Sequence, residues 1–201
     1  MALDDKSDLS ITRADVRGRA LAGDLSQTDP HEALKVARAI RHPWYRCQAL
    51  SSVAEAWGTH AQKRKVLEEA LVAAGEQSDI NRIVTVSAWP LRVMVDFAPN
   101  DVAAHMQRLV RLAEQEPHTL RRADALSAVA FAVRHAPPLL ALVAPSLVGA
   151  LLGGHGWRID RLIRDAVDLL RESMPDAVER LIEHHGEGQK KRALLKSGRL
   201  A

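Results

Sequence analysis

The sequence predicts an all-α protein, a short right-handed α-solenoid of about four to five helix pairs. The chain of 201 residues contains 32 Ala and 26 Leu but only four Trp, two Phe and one Tyr. This composition favours closely packed helices over sheets, which use β-branched and aromatic residues. No window shows the period-two alternation of a half-buried strand. An internal repeat, described below, adds the prediction that the helices are arranged in pairs.

Proline, glycine and short Asp, Asn or Ser segments divide the chain into helical stretches, each with apolar residues at the helical period. Asp29-Pro30 is an N-cap followed by a proline in the first turn and opens one of these helices. The Gly-rich segment 153–156 is the clearest break. From Pro30 onwards, the predicted helices cover residues 30–40, 44–57, 60–74, 80–97, 99–116, 118–134, 137–152, 157–172 and 177–185.

The internal repeat begins with an arginine and continues with Ala-Leu and Val-Ala at helical spacing. Residues 46–54 and 122–130 are identical at six of nine positions, and weaker copies begin at Arg82 and Arg158. The four arginines therefore recur about every 36 to 40 residues, a period that holds two helices and is typical of an αα-solenoid.

These Arg-x-x-Ala-Leu-x-x-Val-Ala helix openings, with the preceding helix that contains Ala33, Leu34, Ala37 and Ile40, resemble the HEAT-like and tetratricopeptide-like helical-repeat superfamily. The resemblance covers about residues 10–186. The units lack the Trp-Leu-Gly-Tyr pattern of standard tetratricopeptide repeats. The resemblance implies a curved stack of helix pairs that serves as a binding surface, and it implies no chemistry.

The repeated arginines have two interpretations. Each begins a buried stripe near an interhelix turn, where its five donors can reach loop carbonyls or an acidic residue of the adjacent repeat. Alternatively, a row of arginines could bind carboxylates or phosphates. The sequence favours the structural role for this series of repeated arginines, named here the arginine ladder, which consists of Arg46, Arg82, Arg122 and Arg158.

The helix predicted at 137–152 contains no charged residue. Its apolar stretch is shorter than the roughly 20 residues that span a bilayer, so we expect no membrane segment. Either neighbouring helices bury it on all sides, or it presents an apolar patch to another chain, with a homodimer as the first such partner to consider. The candidate interface residues are Leu139, Leu140, Val143, Leu147 and Leu151.

The basic character of the chain belongs to its last fifteen residues. The formal net charge is +3, yet residues 187–201 hold five basic residues and one acidic residue, which leaves 23 basic and 24 acidic residues in 1–186. Lys190, Lys191 and Arg192 are the candidates for phosphate contact. Because the rest of the chain is neutral, nucleic-acid binding is not the first expectation. We expect a flexible N-terminus at 1–9, a single helical-repeat domain at 10–186 and a basic tail at 187–201.

Candidates for catalysis are weak. Cys47 lies inside a predicted helix, and the sequence places no histidine to activate it. Glu183-His184-His185 is a fragment of a metal site at best, since adjacent histidines on a helix point about 100° apart. We therefore predict no catalytic residue, cofactor or metal.

The sequence thus favours a non-catalytic scaffold or adaptor that binds a protein or peptide partner. The single cysteine excludes an internal disulfide and suits a reducing compartment, so the expected location is the cytoplasm. The alternative function is a nucleic-acid-associated helical-repeat protein that uses the basic tail.

Overall fold

The computed structural model describes residues 10–186, and within that range the chain forms ten α-helices and no strand. The all-α prediction is therefore confirmed. The expected flexible segment 1–9 and the basic tail, with Lys190, Lys191 and Arg192, lie outside the described residues. The helices are α1 (Arg13–Leu25), α2 (Pro30–Ala39), α3 (Pro43–Ala56), α4 (His60–Gly75), α5 (Ile80–Met94), α6 (Pro99–Ala113), α7 (Thr119–Ala132), α8 (Pro137–Leu152), α9 (Trp157–Leu170) and α10 (Pro175–His184).

Local capping explains where the helices begin. The side chains of Asp29, Thr59 and Asp79 each accept a hydrogen bond from the backbone N–H three residues later, which satisfies an amide that has no partner inside the helix. Helices α2, α3, α8 and α10 have a proline in the first turn, where its missing N–H costs nothing. The predicted helix 80–97 ends earlier, at Met94, because a turn closed by the Ala98 N–H on the Met94 carbonyl (2.9 Å) precedes α6.

A buried carboxylate ties α1 to the loop between α2 and α3. Asp15 is 4% exposed, and its Oδ2 accepts hydrogen bonds from the Thr12 N–H (2.9 Å) and hydroxyl (2.6 Å). Its Oδ1 accepts from the His42 N–H at 3.0 Å. Burial by itself raises the pKa of Asp15, but the hydrogen bonds from Thr12, His42 and Arg41 outweigh it and lower that pKa to about 2. Asp160 in α9 is placed similarly, since its Oδ1 accepts from the Gly186 N–H after α10 at 3.0 Å.

The described residues divide into two compact units, with the division between Val102 and Ala103. In the first unit, α1, α3 and α5 form one row of neighbours, and α2 and α4 pack against that row. In the second unit, α7 and α9 are neighbours, α8 packs against both of them, and α10 packs against α8 and α9. Both units fall within the range 10–186 predicted as one helical-repeat domain, and that grouping stays a prediction.

The second set of four helices follows the spacing of the preceding four. Helices α3 to α6 begin at Pro43, His60, Ile80 and Pro99, and α7 to α10 begin at Thr119, Pro137, Trp157 and Pro175. The offset between corresponding starts is constant to within a single position. The buried Leu50 of α3 thus corresponds to the buried Leu126 of α7. Helices α3 to α6 and α7 to α10 therefore follow the same order and nearly the same spacing.

Candidate functional site

The uncharged helix α8 uses its large side chains for the core of the second unit. It packs against α7, α9 and α10, so three of its sides are covered. This is why the exposed apolar patch considered for these residues is absent: Leu139 and Leu140 are 6% and 3% exposed, and Val143, Leu147 and Leu151 are 0% exposed. All five side chains are therefore buried, and a second chain would have to displace neighbouring helices to reach them.

The remaining side of α8 faces solvent and is also uncharged. Its exposed residues recur at helical spacing and include Pro138, Ala141, Leu142, Pro145 and Gly149. Leu142 is the largest of them and is 37% exposed. This solvent face, named here the α8 face, consists mainly of small residues and differs from the face in which the sequence suggested an interface.

The four repeated arginines occupy two kinds of position. Arg46 and Arg122 are the fourth residues of α3 and α7. Their Nη1 atoms donate to the carbonyls six residues earlier, to Ile40 at 3.2 Å and to Glu116 at 3.4 Å. Both arginines thus join the start of their helix to the loop before it.

Arg82 and Arg158 make different contacts. The Nε of Arg82 lies 3.7 Å from Oδ2 of Asp79. The guanidinium carbon of Arg158 lies 5.2 Å from the ring centroid of Trp157, in a cation–π arrangement. Arg82 and Arg158 thus each contact a side chain at the start of their own helix.

The first unit contains an open groove of about 670 Å³ between α2, α3 and α4. Its floor contains the buried Leu50, and Val72, which is 68% exposed, forms part of its wall. The polar lining has equal numbers of positive and negative groups: Arg38, Arg46, Lys65, Glu68, Glu69 and Glu76. We name this feature the first-unit groove.

Ion pairs fix two of the arginines in this groove. Arg38 donates from Nε and Nη2 to the two carboxylate oxygens of Glu69, at 2.8 and 2.7 Å, and this hydrogen bonding raises the pKa of Arg38. Arg46 pairs with Glu76 at the C-terminal end of α4. Lys65 and Glu68 are exposed and form no ion pair among the described residues. Two oppositely charged groups are thus available to a ligand beside an exposed apolar side chain.

The sequence identified only one residue of this groove, Arg46, as a candidate. The charged outer face of α4, with Lys65, Glu68 and Glu69, is visible in the sequence as the polar side of an amphipathic helix. The sequence does not show which residue of another helix pairs with Glu69 across the groove. Arg38 lies 31 residues before Glu69, and no local pattern relates the two.

The weak candidates for chemistry are occupied by structural contacts. Cys47 is buried, its thiol donates to the Val86 carbonyl at 3.5 Å, and burial raises the pKa of that thiol to about 12. Nε2 of His184 contacts the Gly154 carbonyl at 2.7 Å, whereas Nε2 of His185 contacts Nη1 of Arg164 at 3.1 Å. Adjacent histidines thus face different partners, in keeping with the angle between neighbouring positions of a helix.

Within residues 10–186, no group of three or more His, Cys, Asp or Glu side chains is arranged to hold a metal ion. None of the helices described for this chain combines the length and the apolar character that crossing a membrane requires. Comparisons with family models, curated proteins and solved structures found no match for the chain.

Proposed function

We propose that the protein is a non-catalytic scaffold or adaptor that binds an extended peptide segment of a protein partner in the first-unit groove. One observation supports this most: the groove is open, has an apolar floor, and presents Lys65 and Glu68 without ion pairs among the described residues. Such mixed polarity suits a peptide that carries both charges around an apolar residue.

The proposal includes a finer description of the fold. We regard the helix pairs as a short right-handed αα-solenoid of four to five pairs, similar to HEAT-like repeats, in a cytoplasmic protein. The nearly constant offset between the starts of α3 to α6 and those of α7 to α10 supports this description, as does the packing of neighbouring helices within each unit.

The proposal is tested by selection of twelve-residue peptides from a phage-displayed random library against the full chain, followed by titration of the enriched peptides. The discriminating variant exchanges two groove charges, Lys65→Glu with Glu68→Lys, and therefore leaves the net charge unchanged. We expect at least roughly tenfold weaker binding, about 1.4 kcal/mol, because each peptide charge then meets one of its own sign.

The matched control is Glu179→Lys, an exposed residue of α10 in the second unit. It should leave peptide binding within about twofold of wild type, well below the tenfold effect of the exchange. The proposal is wrong if no peptide is enriched, or if the enriched peptides bind the charge-exchange variant as well as they bind wild type.

A further inference from the structure

Helices α7 and α8 of the second unit correspond to α3 and α4, which line the first-unit groove. The carboxylate of Glu76, at the end of α4, has no counterpart at the end of α8. Helix α4 ends with Glu76 as its C-cap, at φ −80° and ψ −5°, and α8 ends with Gly153 as its C-cap, at φ −80° and ψ −6°. The two residues thus have the same backbone conformation at equivalent helix ends. In the first unit, Glu76 pairs with Arg46. In the second unit the equivalent arginine, Arg122, is present, but Gly153 has no side chain that could pair with it.

Arg122 has no carboxylate partner among the described residues. Its Nη1 donates to the Glu116 carbonyl at 3.4 Å, and the side chain is only partly exposed. The nearby Glu116 carboxylate is 7% exposed and contacts Nε of Arg121 at 3.3 Å and the His118 N–H at 3.0 Å. A guanidinium has five donors, so Arg122 retains the capacity to bind an incoming carboxylate in the manner of Arg46.

The C-terminal end of α8 lies beside the start of α7. A Cβ atom built on Gly153 would lie 3.7 Å from Cγ2 of Thr119, the first residue of α7 and three residues before Arg122. One helical turn separates Thr119 from Arg122 on the same side of the helix. Because Glu76 reaches Arg46 from the equivalent position, we expect a carboxylate that enters over Gly153 to reach the Arg122 side chain.

The exposed side of α8 is less polar than the exposed side of α4, which lines the first-unit groove. When α4 and α8 are aligned on their first residues, the counterparts of Lys65, Glu68 and Val72 are Leu142, Pro145 and Gly149. The bidentate pair of Arg38 and Glu69 corresponds to a hydrogen bond from the Ser146 hydroxyl to Oε1 of Glu114, at 2.7 Å. The α8 face is thus uncharged, and the exposed carboxylate of Glu114 lies beside it, where the first unit has Arg38.

We propose that the second unit binds an acidic peptide segment of a partner protein at Arg122. A carboxylate of the peptide occupies the place that Glu76 takes in the first unit, and an adjacent apolar side chain of the peptide lies over Gly149, about one helical turn before Gly153. The remaining donors of Arg122 select the carboxylate through charge-assisted hydrogen bonds, and the exposed apolar α8 face selects its neighbour. This site does not depend on the first-unit groove, because all its residues belong to the second unit.

The test uses the full chain, labelled with ¹⁵N, and two capped tripeptides, acetyl-Leu-Glu-Leu-amide and acetyl-Leu-Gln-Leu-amide. We expect the Glu peptide to shift the amide signals of Thr119, Gly149 and Gly153 in a saturable way. The Gln peptide should bind at least roughly tenfold more weakly, because it loses the charge-assisted hydrogen bonds to Arg122.

Gly153→Glu is the decisive variant, with Gly153→Gln as its matched control. The dihedral angles of residue 153 suit any L-residue, and its added Cβ would have ordinary contacts of 3.4 Å or more. The new glutamate should pair with Arg122, as Glu76 pairs with Arg46, and abolish the response to the Glu peptide, whereas the isosteric glutamine should retain most of it.

The proposal is overturned if the two tripeptides bind equally, or if the Gly153→Glu and Gly153→Gln variants respond alike. It is also overturned if the same amide signals shift with protein concentration alone, since a second copy of the chain would then cover the site. The exchange of Lys65 and Glu68 should leave this response unchanged, so the proposal for the first-unit groove can fail separately.

Discussion

Helices α4 and α8 have the same length, sixteen residues, and the same C-cap conformation, but they expose different chemistry to water. At equivalent buried positions both are apolar, as Val66 and Val143 illustrate. At equivalent exposed positions α4 has Lys65 and Glu68, whereas α8 has Leu142 and Pro145. The comparison separates two constraints on one structural element. Packing within a unit determines the buried side, and the exposed side is left to determine what each unit can bind.

The largest expected effect tests whether α4 and α8 each contribute a buried side to the core of their unit. Leu67 of α4 and Leu147 of α8 are both 0% exposed. Replacing either by Ala should lower the free energy of unfolding by about 2–5 kcal/mol, because each change leaves a cavity. Urea unfolding followed by circular dichroism measures both changes. The control is Leu142→Ala on the α8 face, which should cost less than about 0.5 kcal/mol. A Leu142→Ala loss as large as that of Leu147→Ala would contradict the assignment of Leu142 to the solvent side.

A smaller effect concerns the carboxylates that tie one helix pair together in each unit. Asp15→Asn should destabilise the first unit by about 1–2 kcal/mol at pH 7, because asparagine is a weaker acceptor than the buried carboxylate. The pKa of Asp15 is lowered in the folded state from 3.8 to about 2. Its contribution is therefore complete well above pH 3.8 and is lost as the pH falls towards 2.

Unfolding curves of wild type and Asp15→Asn at pH 7, 4 and 2.5 measure this loss, and the two proteins should converge as the pH falls. A difference that stays constant down to pH 2.5 would show that the carboxylate charge is not the source of the stability. Asp160→Asn should lower stability in the same direction, since Asp160 accepts the Gly186 N–H as Asp15 accepts that of His42.

The smallest expected effect distinguishes the two equivalent arginines. Arg46 contacts the carbonyls of Ile40 and Arg41 and the carboxylate of Glu76, whereas Arg122 contacts one carbonyl. Arg46→Gln should cost about 1 kcal/mol and Arg122→Gln about half as much. In 1 M NaCl the cost of Arg46→Gln should fall towards that of Arg122→Gln, because salt screens a partly exposed ion pair. Equal costs in low salt would mean that Glu76 does not stabilise the first unit.

The sequence predicts the helices well because their boundaries are set by local chemistry. Pro30, His60 and Pro137 begin helices in the structure as the sequence predicts, since caps and prolines act within a few residues. The errors are at helix ends: the turn after Met94 shortens α5 by three residues relative to the predicted end at Phe97. A turn of this kind competes closely with one more helical turn and has no strong residue signature.

The candidate sites were less predictable because they depend on which helices become neighbours. The sequence shows that α8 is uncharged, but its burial follows from three packed neighbours, which periodicity does not count. Similarly, the sequence aligns Arg46 with Arg122 but does not relate either one to residue 76 or 153. The missing carboxylate at Gly153 becomes visible only when the C-terminal ends of α4 and α8 are compared in space.

The reaction rate of the buried Cys47 thiol with a labelling reagent measures how often the first unit opens. Cys47 is the only cysteine of the chain, lies in α3, and is shielded from solvent with its pKa raised to about 12. A thiol reagent therefore reacts only when the structure around α3 opens, and its rate of reaction reports the frequency of that opening. Because the second unit contributes no thiol, the labelling rate and the circular dichroism signal together separate the unfolding of one unit from that of the whole chain.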